Sequence, residues 1–139
     1  MGLDMNLCGE KSTFGNKETV DGFPVASTNL DIGYWRKHAN LHGFIVQTFA
    51  DGEDECQRIS LDADDLHSII TALEDDALYD ETVTGFFFGR SYFPGESDEY
   101  GSYEEQKARD IDIFTKARNW LMSNTPTEEW RSVYYQASW

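Results

Sequence analysis

Arg131-Ser132-Val133-Tyr134-Tyr135-Gln136-Ala137-Ser138-Trp139 alternates strictly. Arg131, Val133, Tyr135, Ala137 and Trp139 fall on one side, and Ser132, Tyr134, Gln136 and Ser138 fall on the other. That period of two, built on β-branched and aromatic residues, reads as a strand with one buried face. A segment ending this aromatically is expected to dock in a sheet. A second alternating segment lies near the start of the chain, where Leu3, Met5 and Leu7 alternate with Asp4, Asn6 and Cys8, and it reads as a short half-buried strand.

Between these strands lie helical patterns. Ser102 with Glu105 forms a capping box that opens a helix running to about Ser123. Ile111, Phe114, Arg118 and Leu121 have core-facing spacing, flanked by Ala108, Ala117 and Trp120, and Asn124-Thr125-Pro126 stops it. Asp62 caps a second helix through about Leu78, with Asp64 and Asp65 at the positive end of its dipole and Leu66, Ile69, Ile70 and Leu73 as its buried stripe. Tyr34 to Ala50 fits a third helix. Tyr34, Trp35, Leu41, Ile45, Val46 and Phe49 share one arc, while Arg36, Asn40 and Gln47 lie opposite. Gln57–Leu61 and Thr82–Phe88 are short strand candidates; in the second, Phe86-Phe87-Phe88 between Gly85 and Gly89 suit a strand covered on both faces or a strand end bent between two glycines. Gly9–Asn29 reads as a long loop or loose hairpin turning at Gly15-Asn16, and Arg90–Gly101 as a loop. Three helices among short strands, without βαβ spacing, give α+β: a small, mostly antiparallel sheet packed with about three helices. Residues 1–139 are read as one domain.

The composition is strongly acidic: 26 acids stand against 11 bases, for a net charge of -15. Residues 51–100 alone carry a net -13, and the two flanking regions carry -1 each. Asp51, Glu53, Asp54 and Glu55 form one cluster, Asp62, Asp64 and Asp65 a second, Glu74, Asp75, Asp76, Asp80 and Glu81 a third, and Glu96, Asp98 and Glu99 a fourth. A solvated face with acidic helix starts accounts for such runs in general. Their concentration also fits a partner-binding surface, centred on Asp51, Glu53, Asp54, Glu55, Asp64, Asp65, Asp75 and Asp76. Direct contact with nucleic acid is not expected, because phosphates need Lys/Arg clusters. Neither a membrane span nor a secretory leader is read in the chain. Cys8 and Cys56 are too few for a disulfide framework, so reduced thiols in a cytoplasmic setting are expected.

One patch runs against this acidity. Arg36 and Lys37, with Trp35, Asn40 and His42, could hold a small anion such as a nucleotide phosphate, with a ring to stack on a base. No GxxxxGK[ST] or GxGxxG loop supports it, and no cofactor is expected. His38 and His42 have the i, i+4 spacing of a metal pair, but Ala39 stands where a zincin has Glu. Both fall inside the apolar arc. Core histidines satisfied by a carbonyl or carboxylate are the better reading, and no metal is assigned. No nucleophile or acid–base pair stands out as a catalytic set. The acidic runs miss the EF-hand order.

Four fragments together resemble a group of small uncharacterised proteins of tailed phages and prophages. They are Met1-Gly2-Leu3-Asp4-Met5, Gly33-Tyr34-Trp35-Arg36-Lys37 with His42, Gly85-Phe86-Phe87-Phe88-Gly89, and Tyr134-Tyr135-Gln136-Ala137-Ser138-Trp139. Members sometimes carry the label phosphoglycerate kinase, which a chain this short without a nucleotide loop does not support. The resemblance implies an accessory protein acting in the cytoplasm of a host cell and supplies no catalytic residues. Joined to the charge map, it leads to the expectation of stoichiometric binding to a basic host protein, such as a DNA-binding or defence component, by a carboxylate surface resembling DNA.

Overall fold

The computed structural model describes residues 3–15, 17–36, 38–78, 97–98, 101–124 and 127–139. In chain order the elements are β1 (Asp4–Thr13), β2 (Thr19–Val20), β3 (Phe23–Pro24), β4 (Thr28–Arg36), α1 (Ala39–Phe49), β5 (Ile59–Leu61), α2 (Ala63–Glu74), β6 (Ser97–Asp98), β7 (Gly101–Ser102), α3 (Tyr103–Met122) and β8 (Glu129–Ser138). The main sheet has four strands in the order β4-β1-β8-β5, all neighbours antiparallel. The α+β class is therefore as expected. The predicted strand over Thr82–Phe88 lies outside the described residues.

Alternation in β1 and β8 does the organising. Asp4 faces Ser138 and Leu7 faces Tyr135, so Met5, Leu7, Val133, Tyr135 and Ala137 are buried on one face. Ile59 and Leu61 extend that face through β5, and Trp35 extends it through β4. The opposite face carries Asn6, Cys8, Tyr134 and Gln136, all half-buried. Against the apolar face pack Leu41, Ile45 and Val46 of α1, Leu66, Ile69, Ile70 and Leu73 of α2, and Phe114 and Ala117 of α3. Two sheet glycines permit the close approach of α3. A Cβ on Gly33 would meet Ile113 Cγ2 at 2.7 Å, and one on Gly9 would meet Trp120 Cζ3 at 2.9 Å.

Caps start both long helices. Asp62 and Asp65 exchange backbone and side-chain hydrogen bonds at α2, and Ser102 and Glu105 do the same at α3. The C-terminus of α2 closes with Asp76 in the left-handed region (φ 54°). There Ala77 N–H reaches Ala72 O and Asp76 N–H reaches Leu73 O. This is a Schellman ending with aspartate where glycine is usual.

Several boundaries differ from those predicted. Tyr34 to Arg36 belongs to β4, and α1 begins only at Ala39, because Trp35 pairs with Met5 across the sheet. Gly9–Asn29 is mostly strand: β1 runs to Thr13, and β4 begins at Thr28 opposite Lys11. The hairpin between them turns at Asp21-Gly22, both at positive φ, rather than at Gly15-Asn16. Along α3 the fully buried positions are Tyr103, Asp110, Phe114 and Ala117, whereas Ala108 is exposed and Ile111 and Leu121 are partly buried. A carboxylate therefore sits on that helix's core stripe. Cys8 and Cys56 are free thiols.

Candidate functional site

The first turns of α1 bring three polar side chains into the interior: His38, Asn40 and His42 are 4%, 1% and 1% exposed. An α-helix places i and i+4 on one face, so His38 and His42 stack one turn apart. Each meets a carboxylate that a different part of the chain supplies.

His38 Nε2 lies 2.8 Å from Asp110 Oδ2, and its Nδ1 lies 2.8 Å from Asn40 Oδ1. Asp110 is 1% exposed and gathers two further donors on Oδ1: Trp35 Nε1 at 2.6 Å and Gln106 Nε2 at 2.8 Å. Burying a carboxylate is costly unless it is paired and hydrogen-bonded. Here β4, the segment before α1, and α3 each contribute a partner. The Trp35 ring also stacks on Phe114, with ring centroids 5.4 Å apart.

His42 lies in a second chain of contacts. Its Nδ1 is 2.6 Å from Tyr135 Oη, and its Nε2 is 2.9 Å from Asp54 Oδ2. Burial raises the Tyr135 phenol well above its usual range, and the Asp54 charge adds to that shift. The Asp54 carboxylate only accepts, so His42 Nε2–H donates to it, and in the neutral ring Nδ1 accepts from the Tyr135 hydroxyl. Trp139 Nε1 donates to the other Asp54 oxygen at 3.1 Å. Trp139, expected on the buried side of the docked strand, instead lies one residue beyond β8, 39% exposed and tied to the loop after α1 by its indole N–H.

The anion patch read from sequence is not assembled on one surface. Trp35, Asn40 and His42 face inward and bond protein groups. Arg36 is exposed on the other face of β4, 4.0 Å from Asp4. Lys37 lies outside the described residues. The physical reason is the strand: in β4 Trp35 and Arg36 point to opposite sides, and α1 begins only at Ala39. The two histidines are core groups satisfied by carboxylates, as their place in the apolar arc indicated. Among the described residues no group of three or more His, Cys, Asp or Glu is arranged to hold a metal ion.

The acidic residues divide in two. Asp54 serves His42 and Trp139; Asp65 serves the α2 cap, and burial raises its carboxyl above the usual range. Asp76 accepts from Tyr103 Oη at 2.6 Å and from Lys107 Nζ at 3.0 Å. Asp51, Glu53, Glu55, Asp64 and Asp75 are exposed. Ion pairs of lysine and arginine among the described residues go elsewhere: Lys11 and Arg131 to Glu129, Arg36 to Asp4, Lys107 to Asp76 and Lys116 to Asp112. Arg58 sits between the first two acidic clusters, with its guanidinium 4.3 Å from the centroid of the Tyr134 ring.

No helix among the described residues is long and apolar enough to cross a membrane. Compared with protein-family models, with curated proteins and with solved structures, the chain has no match.

Proposed function

We propose that this protein acts by stoichiometric binding, its exposed carboxylates occupying a basic surface on a partner protein that otherwise holds DNA. The observation that carries the reading is where the uncompensated charge lies. Glu53 and Glu55 lie in the loop before β5, and Asp62 and Asp64 follow it at the start of α2. Acids at the start of α2 are favoured by the helix dipole, but Glu74 and Asp75 at its other end are opposed by it. Helix stability accounts for the first set and not for the second. B-DNA presents one charge per about 1.7 Å of axis, and a basic groove shaped for it selects for density of negative charge rather than for base identity. The resemblance to tailed-phage proteins gives this partner a setting, a DNA-binding or defence protein of a bacterial host.

The test is affinity capture from bacterial lysate at about 50 mM salt, followed by elution as salt is raised to about 200 mM. A basic DNA-binding protein should be recovered, duplex DNA should compete it off, and the quadruple variant Glu53→Lys, Glu55→Lys, Asp64→Lys, Asp75→Lys should fail to capture it. Recovery of no basic protein, or recovery indifferent to the four substitutions, overturns the reading.

A further inference from the structure

β5 stops after three residues, while β8 runs on. Ile59, Ser60 and Leu61 pair with Tyr135, Tyr134 and Val133, and at Asp62 the chain turns away into α2. On the side facing away from β1, no described strand pairs with Glu129–Ser132. Unpaired main-chain donors and acceptors on a sheet edge are a template for another strand. Four residues of edge span about 13 Å.

A cleft of about 390 Å³ opens at this place. Leu61, Leu121 and Val133 line it from the core side and Trp130 from the outer side, so it wraps around the edge of β8. Val133 and Trp130 point to opposite faces of the sheet, so a strand laid along this edge would present alternate side chains to the two walls. Trp130 is 48% exposed, and Met122, near the end of α3, is 61% exposed. Arg131 also lines the cleft. Its terminal nitrogens bond Trp120 O, Ser123 Oγ and Glu129, but its Nε is buried without an acceptor. The rim is acidic, with Asp62 in the lining and Asp64 exposed beside it, while the Arg131 charge is answered by Glu129.

From these features we infer that the cleft receives an extended segment of the partner protein, alternating apolar with Lys or Arg, which adds as a strand to Glu129–Ser132. Main-chain hydrogen bonds give such a segment its hold. The apolar walls choose alternate side chains, and the carboxylate rim chooses the sign of the remainder. The inference rests on the binding function proposed above for the basic character of the partner, and it adds the element by which the partner is held.

The probe is the synthetic peptide acetyl-Lys-Val-Lys-Val-Lys-Val-Lys-amide, titrated into the full isotopically labelled protein and followed by amide chemical shifts. Saturable shifts at Trp130, Arg131, Ser132 and the Trp130 indole are expected. The same peptide with proline at its centre, which removes a ladder donor, should bind at least about tenfold more weakly. Trp130→Ala should weaken the parent peptide without disturbing the fold, since that side chain is half exposed. If the parent and proline peptides instead shift Glu53, Glu55 and Asp64 equally and leave Trp130–Ser132 untouched, strand addition is overturned while the acidic-surface function stands. If neither moves any amide, strand addition is overturned, and the acidic-surface function is decided separately by the lysate capture. Equal binding by a peptide with Glu in place of Lys overturns the basic partner. Shifts at the same edge on dilution, with a dimer in light scattering, make a second copy of the chain the occupant and overturn the inference.

Discussion

Removing the Asp110 carboxylate tests the central claim about the interior. Asp110→Ala leaves Trp35 Nε1, Gln106 Nε2 and His38 Nε2 without the oxygen each approaches within 2.8 Å. Trp35 and His38 have no ready access to water, being 3% and 4% exposed, whereas Gln106 is partly buried. A hydrogen bond to a charged group contributes about 1.5–3 kcal/mol, and stripping one partner from a buried charged cluster costs about 3–5 kcal/mol. The larger range is the expected loss. It is a large share of the roughly 5–15 kcal/mol that holds a domain together. Asp110→Asn keeps the volume and one acceptor for Trp35 and Gln106 but turns an amide toward His38. It should lose less, about 1–3 kcal/mol. Urea unfolding followed by far-ultraviolet circular dichroism gives both numbers, provided the denaturant slope is unchanged. His38→Ala combined with Asp110→Ala should fall short of the sum of the single losses by about 0.5–3 kcal/mol, because each single change orphans the same contact. A loss below about 1 kcal/mol for Asp110→Ala, or strict additivity in the cycle, would show that the cluster is not a stabilising unit.

Two further outcomes follow from local geometry. Gly33→Ala should cost about 1–3 kcal/mol in the same assay, because its methyl would enter the 2.7 Å gap to Ile113 on a packed helix; a neutral result would mean α3 shifts freely. The Tyr103 hydroxyl, and secondarily Lys107, hold the Asp76 carboxyl below its ordinary value. A carboxyl depressed in the folded state contributes stability above its ordinary titration range and loses it as pH falls through the lowered value. Tyr103→Phe should therefore move the Asp76 titration upward in carboxyl carbon NMR and begin the acid-side loss at higher pH; an unmoved titration would contradict the assignment.

What the sequence made legible was whatever is governed by neighbours. The Ser102–Glu105 and Asp62 caps, the alternation of β8 and the stripe of α2 depend on residues within one turn or one strand. Tyr34–Arg36 was misread because aromatic residues in a strand and at the edge of a helical arc give the same short pattern. What decides between them is Met5, which pairs with Trp35 from the far side of the sequence. The polar ends of β1 and β4 carry no alternation to read, since Thr28–Asp31 is exposed on both faces and Glu10–Ser12 is half-buried on both. Asp21-Gly22 did carry a local signal, the strongest two-residue hairpin turn. The partners of the two histidines are set by tertiary contact alone, although an aspartate three positions from Lys107 and four before Phe114, on the helix's apolar side, marks Asp110 as a buried acceptor. The exposure of the acidic clusters was equally hidden: Asp54, Asp65 and Asp76 differ from Asp51, Glu53 and Glu55 in what folds against them.

The placement of β1 between β4 and β8 fixes the order in which the molecule can be made. A nascent chain emerging at roughly 5–20 residues per second can zip β1 to β4 early, but the other edge of β1 waits on the order of ten seconds for β8. During that interval Met5 and Leu7 are covered from one side only, and His42 and Asp54 lack the tyrosine between which and the loop the imidazole is held. Closing the central ladder is a long-range event, the slow kind of contact in folding. Tyr135 is thus a late-arriving keystone: the emergence of β8 is the moment at which sheet, core and the α1 histidines become one cooperative unit.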